Sequence, residues 1–291
     1  MSITADDTAV RGIVGATEDA APAGGTRGRR QRAVGRLRGD IPPALHLGLG
    51  GVGVVVLFGG WALLAASMDS FLLPTPGATW NAGMELYRSG DLLTDLQAST
   101  TRVGTGYGIS LAIGVVLGVA MGSFRSAEGF LEPQIGFLRY IPASALTPLF
   151  LLWLGIDETP KVALILVGTV FYNILMIADV ARAVPKELIQ ASYTLGAGRW
   201  RVLRRVILPH SYPGIIDVAR INLAAAWLML VVAELLAAEE GLAYRIARAT
   251  RSRNVDDMFA ILIVFGLIGL LSDVLLRQLR RRTAPWSEGS R

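Results

Sequence analysis

Leu45–Ser67 runs for 23 residues without a charged side chain. As a helix it is about 35 Å long, enough to cross the roughly 30 Å hydrocarbon core of a bilayer. In hydrocarbon every backbone polar group has to be paired internally, so a run of this kind folds as a helix or not at all. Further apolar segments follow at Thr101–Gly122, Ile141–Ile156, Val162–Ala178, Gly214–Leu236 and Met258–Leu276. With 52% hydrophobic residues and a mean hydropathy of +0.48, the chain is too apolar for an ordinary soluble domain. The expectation is an all-α polytopic membrane protein with about six transmembrane helices and both termini in the cytoplasm.

Charge supports that orientation. The net charge of +5 is carried by arginine, Lys161 and Lys186 being the only lysines. Arg27, Arg29, Arg30, Arg32, Arg36 and Arg38 precede the first apolar run, and Arg277, Arg280, Arg281 and Arg282 follow the last. Such clusters hold a chain end inside. A twin-arginine signal at Arg29-Arg30 is excluded by the length of the following apolar run and the lack of a small-residue cleavage site. Residues 1–40, rich in Ala, Gly, Thr and Arg, are expected to form a disordered basic cytoplasmic tail. Residues 41–282 then form the membrane domain and 283–291 a second cytoplasmic tail.

One outer loop, 239–257, breaks the charge rule with Arg245, Arg248, Arg251 and Arg253, against Glu239, Glu240, Asp256 and Asp257. Helical spacing after Gly241-Leu242 predicts a short surface helix. The loop is either a charge-balanced solvated segment, or a docking surface or basic rim for an external partner or anion.

The second apolar run carries Gly104, Gly106, Gly108, Gly114, Gly118 and Gly122, whose small-xxx-small spacings predict close helix packing inside the protein. The third is broken by Pro142 and Pro148 and needs neighbours or a cavity around it. Asp157–Lys161 reads as a tight outer turn, and a short amphipathic helix is expected within 80–97. Ionisable and amide groups inside spans are functional candidates. Arg220 with Asn222 matches the two-point geometry of a planar oxyanion; the alternatives for Arg220 are snorkelling or pairing with Asp217. Glu234 is a gate group or an interfacial anchor, and Asn173 is a candidate for the path. There is no cysteine, no HExxH, and no glycine loop with lysine for nucleotide phosphates. Nothing in the spans pairs a nucleophile with a base.

Between the fourth and fifth runs lies a polar, basic stretch, Pro185–Pro209. Leu188, Ala191 and Leu195 recur at helical spacing; Gly196 is placed as a helix C-terminal glycine. Trp200, Leu203, Val206 and Ile207 mark a second amphipathic helix studded with Arg199, Arg201, Arg204 and Arg205, which Pro209 and Pro213 are expected to stop. Gln190-Ala191-Ser192, Gly196 and Leu208-Pro209 resemble the EAA motif of binding-protein-dependent ABC importer permeases. Gln190 replaces the Glu of that motif, Ser192 the second Ala and Val206 the Ile, while Glu187 offers a carboxylate one turn earlier.

The wider resemblance is to nitrate/sulfonate/taurine-type permeases. It adds LPTP at Leu73–Pro76, ASTTR at Ala98–Arg102, RYIPASALTPLFLLWLGI at Arg139–Ile156, Arg220, Ala226-Trp227, Ala233-Glu234 and Gly241-Leu242. It implies a type I importer permease fold whose loop 185–209 forms coupling helices against a cytoplasmic ATPase, through Glu187, Gln190, Ala191, Ser192, Gly196, Leu208 and Pro209. It further implies a homodimeric core, two ATPase subunits and an external solute-binding protein; the polar groups Arg102, Asn173, Arg220, Asn222 and Glu234 are the candidates for the translocation path. No cofactor is expected on this chain, with ATP and Mg used by the partner, and the cargo is a small organic or inorganic anion resembling a sulfonate, taurine, nitrate or bicarbonate. An ion-coupled secondary carrier or a membrane scaffold are the competing readings; the carrier lacks the inverted repeats and midplane carboxylates it would show.

Overall fold

A computed structural model of the chain describes residues 43–69 and 71–285. The expected tail at 1–40 and the tail residues 286–291 lie outside the described residues. The chain divides into two compact units at Gly60 and Trp61. The first, in its described part, is most of helix α1 (Pro43–Ser67), with Leu49, Val52, Val55 and Leu57 exposed, as a helix bathed in lipid requires.

The second unit is built on α3 (Asp91–Ser123) and α6 (Glu158–Arg182). Four glycines of α3 bring the two backbones together. A Cβ on Gly106 would meet the Val162 carbonyl at 2.8 Å, one on Gly114 the Asn173 Cβ at 2.7 Å, and one on Gly118 the Ile174 carbonyl at 2.7 Å. Gly122 fits as closely against Ala178 and Ala181. Gly104 and Gly108 face open space, so the glycine richness of this helix has two origins. Since residue numbers rise together along the contact, α3 and α6 run parallel. Residues 124–157 therefore have to return across the same thickness.

That return is made by a broken pair, α4 (Arg125–Leu138) and α5 (Thr147–Leu154), joined through a 3-10 turn at Ala143–Leu146 and bent by 77°. The third crossing thus begins at Arg125, not at Ile141. The first half is too polar at its start to register as an apolar run, while Pro142 leaves the backbone to turn. Among the described residues five helices are long and apolar enough to cross a membrane, six when the bent pair is one span.

Three other boundaries differ from the sequence expectation. Helix α3 begins ten residues before Thr101, so its outer portion projects past the hydrocarbon; 33 residues make about 50 Å. The amphipathic helix is α2 (Pro76–Arg88), started by Pro76 and the Thr75 cap, and it ends where Gly90 turns the chain at φ 83° into α3. Glu158 to Lys161 form the first turn of α6, not a loop; Gly155 at φ 84° makes the turn ahead of it.

The largest correction concerns Pro209 and Pro213. Neither stops the helix. From α8 (Arg199–Val202) the chain passes through a π turn at Leu203–Ile207 into α9 (Leu208–Ala237), with Pro213 inside. The wider turn just before Pro209 relieves the clash a proline ring makes with the carbonyl four residues back, and the helix continues. Helix α9 runs antiparallel to α3 and α6: Gly214 lies against Val180, and Glu234 reaches Arg102. After α10 (Leu242–Arg251), α11 (Val255–Thr283) returns along α9, with Trp227 edge-on to Phe265 at 6.0 Å. Leu262, Leu267, Leu270, Leu271 and Leu275 leave an apolar face of α11 exposed.

Gly118→Ala is expected to lower thermal stability in detergent by about 1–3 kcal/mol through overpacking against α6, whereas Gly104→Ala leaves it unchanged or slightly raised. Equal melting shifts in the two variants would contradict the glycine seam.

Candidate functional site

One end of the bundle, called inner after the orientation expected from the charge pattern (the opposite end being outer), carries the hairpin, from α7 (Lys186–Thr194) to the start of α8. Gly196 sits at φ 79°. The Ala197 amide donates to the Ser192 carbonyl at 3.0 Å and the Gly196 amide to the Tyr193 carbonyl at 2.9 Å. This pairing closes a helix with a left-handed glycine, which a side chain there would strain. Ile189, Ala197, Val202 and Ile207 pack with Ala181 and Val184 onto the inner ends of α6 and α9. Trp200 reaches Phe124, between α3 and α4, at 5.9 Å between ring centroids. The hairpin is thereby tied to the ends of α3, α6 and α9 that lie beside it.

The face of α7 predicted to be apolar points the other way. Leu188 is 45% exposed and Leu195 87% exposed, with Ala191 exposed between them. Glu187 and Gln190 are exposed on the same helix, and Pro209 is exposed at the base, while Ser192 and Leu208 are partly buried. The Ser192 hydroxyl donates back to the Leu188 carbonyl at 2.7 Å, so Ser in place of the second Ala is satisfied within its helix. Arg199, Arg201, Arg204 and Arg205 form an exposed collar beside this ridge.

The outer end holds a buried charge network. Arg102 is 2% exposed and Glu234 1% exposed. The Arg102 Nη1 donates to Glu234 Oε1 at 2.9 Å and to the Glu240 carbonyl at 2.7 Å, while its Nε and Nη2 grip Glu158 at 2.5 and 2.8 Å. Lys161 adds a second cation to Glu158 at 2.8 Å. Ser99 donates to Glu234 Oε1 at 2.7 Å. The start of α10 then docks on these groups: the amides of Gly241, Leu242 and Ala243 donate to Asp95, Ser99 and Glu234. A helix N-terminus is favoured by such acceptors, and three of its unpaired amides are satisfied by other helices. Gly241, at φ 128°, leaves room for the Glu234 carboxylate, which a Cβ would strike. Arg245 is fixed by Asp95 at 2.6 Å and Asp91 at 3.1 Å. Burial alone would lower its pKa, but the hydrogen bond and charge of Asp95, with those of Asp91, raise it, so it remains a cation. Beside the network opens an outer cavity of about 730 Å³, bordered by Arg102, Asp157, Glu158, Lys161, Glu239 and Glu240.

Midway, a hydrogen-bonded chain crosses three helices. Asn222 donates to Asn173 Oδ1 at 2.8 Å, Asn173 donates to Ser110 Oγ at 2.9 Å, and Thr169 donates to Ser110 at 2.7 Å. Tyr107 donates to the Ala219 carbonyl at 2.7 Å. Asn173 is fully buried.

The five side chains expected along a path are thus divided among three places. Arg102 and Glu234 meet in the outer network, with Arg102 alone bordering the cavity. Asn173 and Asn222 are sealed between α3, α6 and α9. Arg220 parts company with Asn222 and binds Asp273 of α11 at 3.0 Å, while Asp217, 4.0 Å from Arg220, is taken by Arg280 at 2.8 Å. Asp95, Ser110, Thr169 and Asp273 were missed in the sequence. Only Ser110 left a signal: Arg102, Gly106, Ser110, Gly114, Gly118 and Gly122 recur every four residues, a single ridge of one helix.

Comparison with known proteins gives these sites their context. Residues 110–285 match the family described as binding-protein-dependent transport system inner membrane component. A probable ABC transporter permease of Brucella abortus is 36% identical over 83% of this chain and 96% of its own length. A permease assigned to aliphatic sulfonates transport in Bacillus subtilis is 32% identical over 88% of this chain and 90% of its own. The taurine transport system permease of Escherichia coli is 36% identical over 70% and 74%. Among solved structures, the MetNI methionine ABC transporter in an inward-facing conformation aligns with a TM-score of 0.60 at 18% identity, covering 65% of this chain and 94% of that one. A bacterial ABC transporter involved in import of the polysaccharide alginate aligns with 0.60 at 14% identity, over 83% and 96%. At these identities the structures establish the fold, that of an ABC importer permease.

Arg102→Met strands Glu234 in a buried site and is expected to cost about 3–5 kcal/mol of stability. Arg102→Lys is not expected to rescue it, because one ammonium cannot reach Glu158, Glu234 and the Glu240 carbonyl together. Thermal melts in detergent read both; Arg102→Met/Glu234→Leu should lose less than the sum of the single changes.

Proposed function

The chain belongs to the binding-protein-dependent transport system inner membrane component family, and from that premise we propose how its parts divide the work. It is the multi-pass transmembrane permease subunit of an ATP-driven ABC importer; it is not itself an enzyme, ATP hydrolysis being the task of a separate subunit. Within that role, the hairpin 185–209 is the ATPase-docking element. The observation that carries this is the exposed ridge of Leu188, Ala191 and Leu195 on a hairpin otherwise packed onto the helix ends. An apolar ridge facing water is costly unless a partner covers it. Glu187 and Gln190 flank it as polar contacts, Gly196 sets its angle, and Leu208-Pro209 joins it to α9. ATP and Mg are held by the partner, with no cofactor on this chain.

The working unit is a homodimer served by an external solute-binding protein. The break between α4 and α5 supports pairing: Tyr140, Leu152 and Trp153 are 75%, 78% and 66% exposed. Irregular backbone at membrane depth has to be covered by protein or line a cavity, and a second copy supplies both. Both termini lie on the cytoplasmic side with the arginine collar, in accord with the charge bias of the inner segments. The basic 1–40 tail, the membrane domain 41–282 and the 283–291 tail complete the organisation.

The cargo is a small anion of the sulfonate or taurine kind. That reading rests on the relatives' assignments, since Arg102 and Arg220 are already neutralised by carboxylates in this structure. Arg102, Arg220 and Glu234 enter the path only where these pairs open, and Asn173 with Asn222 act by holding the helices that line it.

Leu195→Asp and Gly196→Pro are expected to leave membrane insertion and yield intact while abolishing co-purification with the ATPase and reducing uptake at least tenfold. Leu195 is so exposed that its change costs the fold little, which separates docking from folding. Unchanged co-purification in both variants would remove the hairpin from the interface.

A further inference from the structure

We infer that Arg248, Arg251 and Arg253, at the outer end of α10, form the docking ridge for an acidic face of the solute-binding protein. This rests on the importer reading above and adds the surface the external partner uses. All three side chains are exposed, and among the described residues none has an ion-pair or hydrogen-bond partner. The acids that balance this loop on paper are placed elsewhere. Asp91 and Asp95 are taken by Arg245, Asp257 joins the Asn254 cap at the start of α11, and Glu239 and Glu240 stand by the outer cavity. Asp256, in the first turn of α11, is the remaining carboxylate near Arg253 and is unpaired with it.

Arg253 is the strongest single pointer. It is the one described non-glycine residue with positive φ, at 57°. The Asn254 amide donates to the Ala249 carbonyl at 2.9 Å and the Arg253 amide to the Thr250 carbonyl at 3.2 Å, the same helix closure made at Gly196. Glycine is the residue this position favours, and arginine strains it. A strained side chain with no partner inside its own protein points to a role outside it. Arg253 borders a second cavity of about 290 Å³ together with Phe71, Pro74 and Thr75, room for an inserted side chain of a partner.

A protein fits this ridge better than lipid headgroups. The apolar face of α10, Leu242, Ala243 and Ala249, is buried on protein, with Leu242 clustered with Leu86 and Ile261. The helix therefore has its apolar face covered by protein and not free for a bilayer, while its arginines are exposed. The Asp95, Ser99 and Glu234 contacts hold it there rigidly. Exposed arginines on a rigid shelf steer and orient an acidic partner, with a strong dependence on salt.

The test uses the full transporter in liposomes, with its ATPase inside and the purified solute-binding protein that supports its uptake titrated outside. Arg248→Ala/Arg251→Ala/Arg253→Gly is expected to raise the binding-protein concentration for half-maximal ATP hydrolysis about tenfold and to flatten its salt dependence, with hydrolysis in the absence of binding protein unchanged. Arg253→Gly alone should weaken the response while leaving the melting temperature equal or higher, because glycine relaxes the turn. A lower melting temperature would make Arg253 a structural residue and overturn the inference. A triple variant stimulated at the wild-type concentration overturns it and leaves the importer reading standing. Wild-type protein that no binding protein stimulates overturns the importer reading itself. Should replacing anionic by zwitterionic lipid, and not removal of the arginines, abolish the salt effect, the ridge serves headgroups and the inference falls.

Discussion

The close parallel contact of α3 with α6 is the constraint on which the rest of the unit depends. Hydrocarbon offers helices no hydrophobic reason to associate, so the seam has to be made by shape and by hydrogen bonds. Gly106, Gly114, Gly118 and Gly122 supply the shape; Ser110, between them on the same ridge, supplies the bonds to Thr169 and Asn173. Parallel helices joined in sequence cannot be neighbours without a return crossing. That is why 124–157 exists as a broken span, and why its irregular backbone has to be covered by protein or line a cavity.

The seam also decides how the protein moves. Helices α3, α6 and α9 are tied at three depths: by Arg102, Glu158 and Glu234 at one end, by Ser110, Asn173 and Asn222 midway, and by Val119, Ile177 and Ile215 toward the other. Ties at three levels leave little freedom for one helix to slide on another. Such a block is better suited to tilting whole than to opening internally, and the proposed homodimer would then switch between copies. A push on α7 is then felt at α10, across the thickness of the membrane, without any special wire between them.

Much of this was legible in the sequence and some was not, for identifiable reasons. Apolar runs fixed the span count because desolvation of the backbone overrides local preference. Gly196 could be read because helix closure with a left-handed glycine is a local event. Pro209 and Pro213 misled because proline is a stop signal only when the helix has no other means of absorbing it; a π turn at Leu203–Ile207 is such a means and leaves no mark in composition. The start of α3 was missed because Asp91 and Asp95 read as part of a separate surface helix, and Ser99 as a polar crown, until their partners 135 or more residues away are known. Arg220 with Asn222 looked like a pair by proximity in sequence, yet two residues along a helix turn a side chain by about 200°. They serve α11 and α6 respectively.

The outer loop shows how a charge rule can be broken without contradiction. Positive residues outside are disfavoured during insertion, and Arg245 escapes that count because Asp95 and Asp91 neutralise it within the fold. The same pairing spends the carboxylates of α3 on one arginine only. What neutralises Arg245 therefore cannot neutralise Arg248, Arg251 or Arg253, and the α10 that it anchors is the element that holds those three to water. Retaining three uncompensated cations on the face that the charge rule disfavours, one of them in a backbone conformation suited to glycine, is intelligible where their partner arrives from outside.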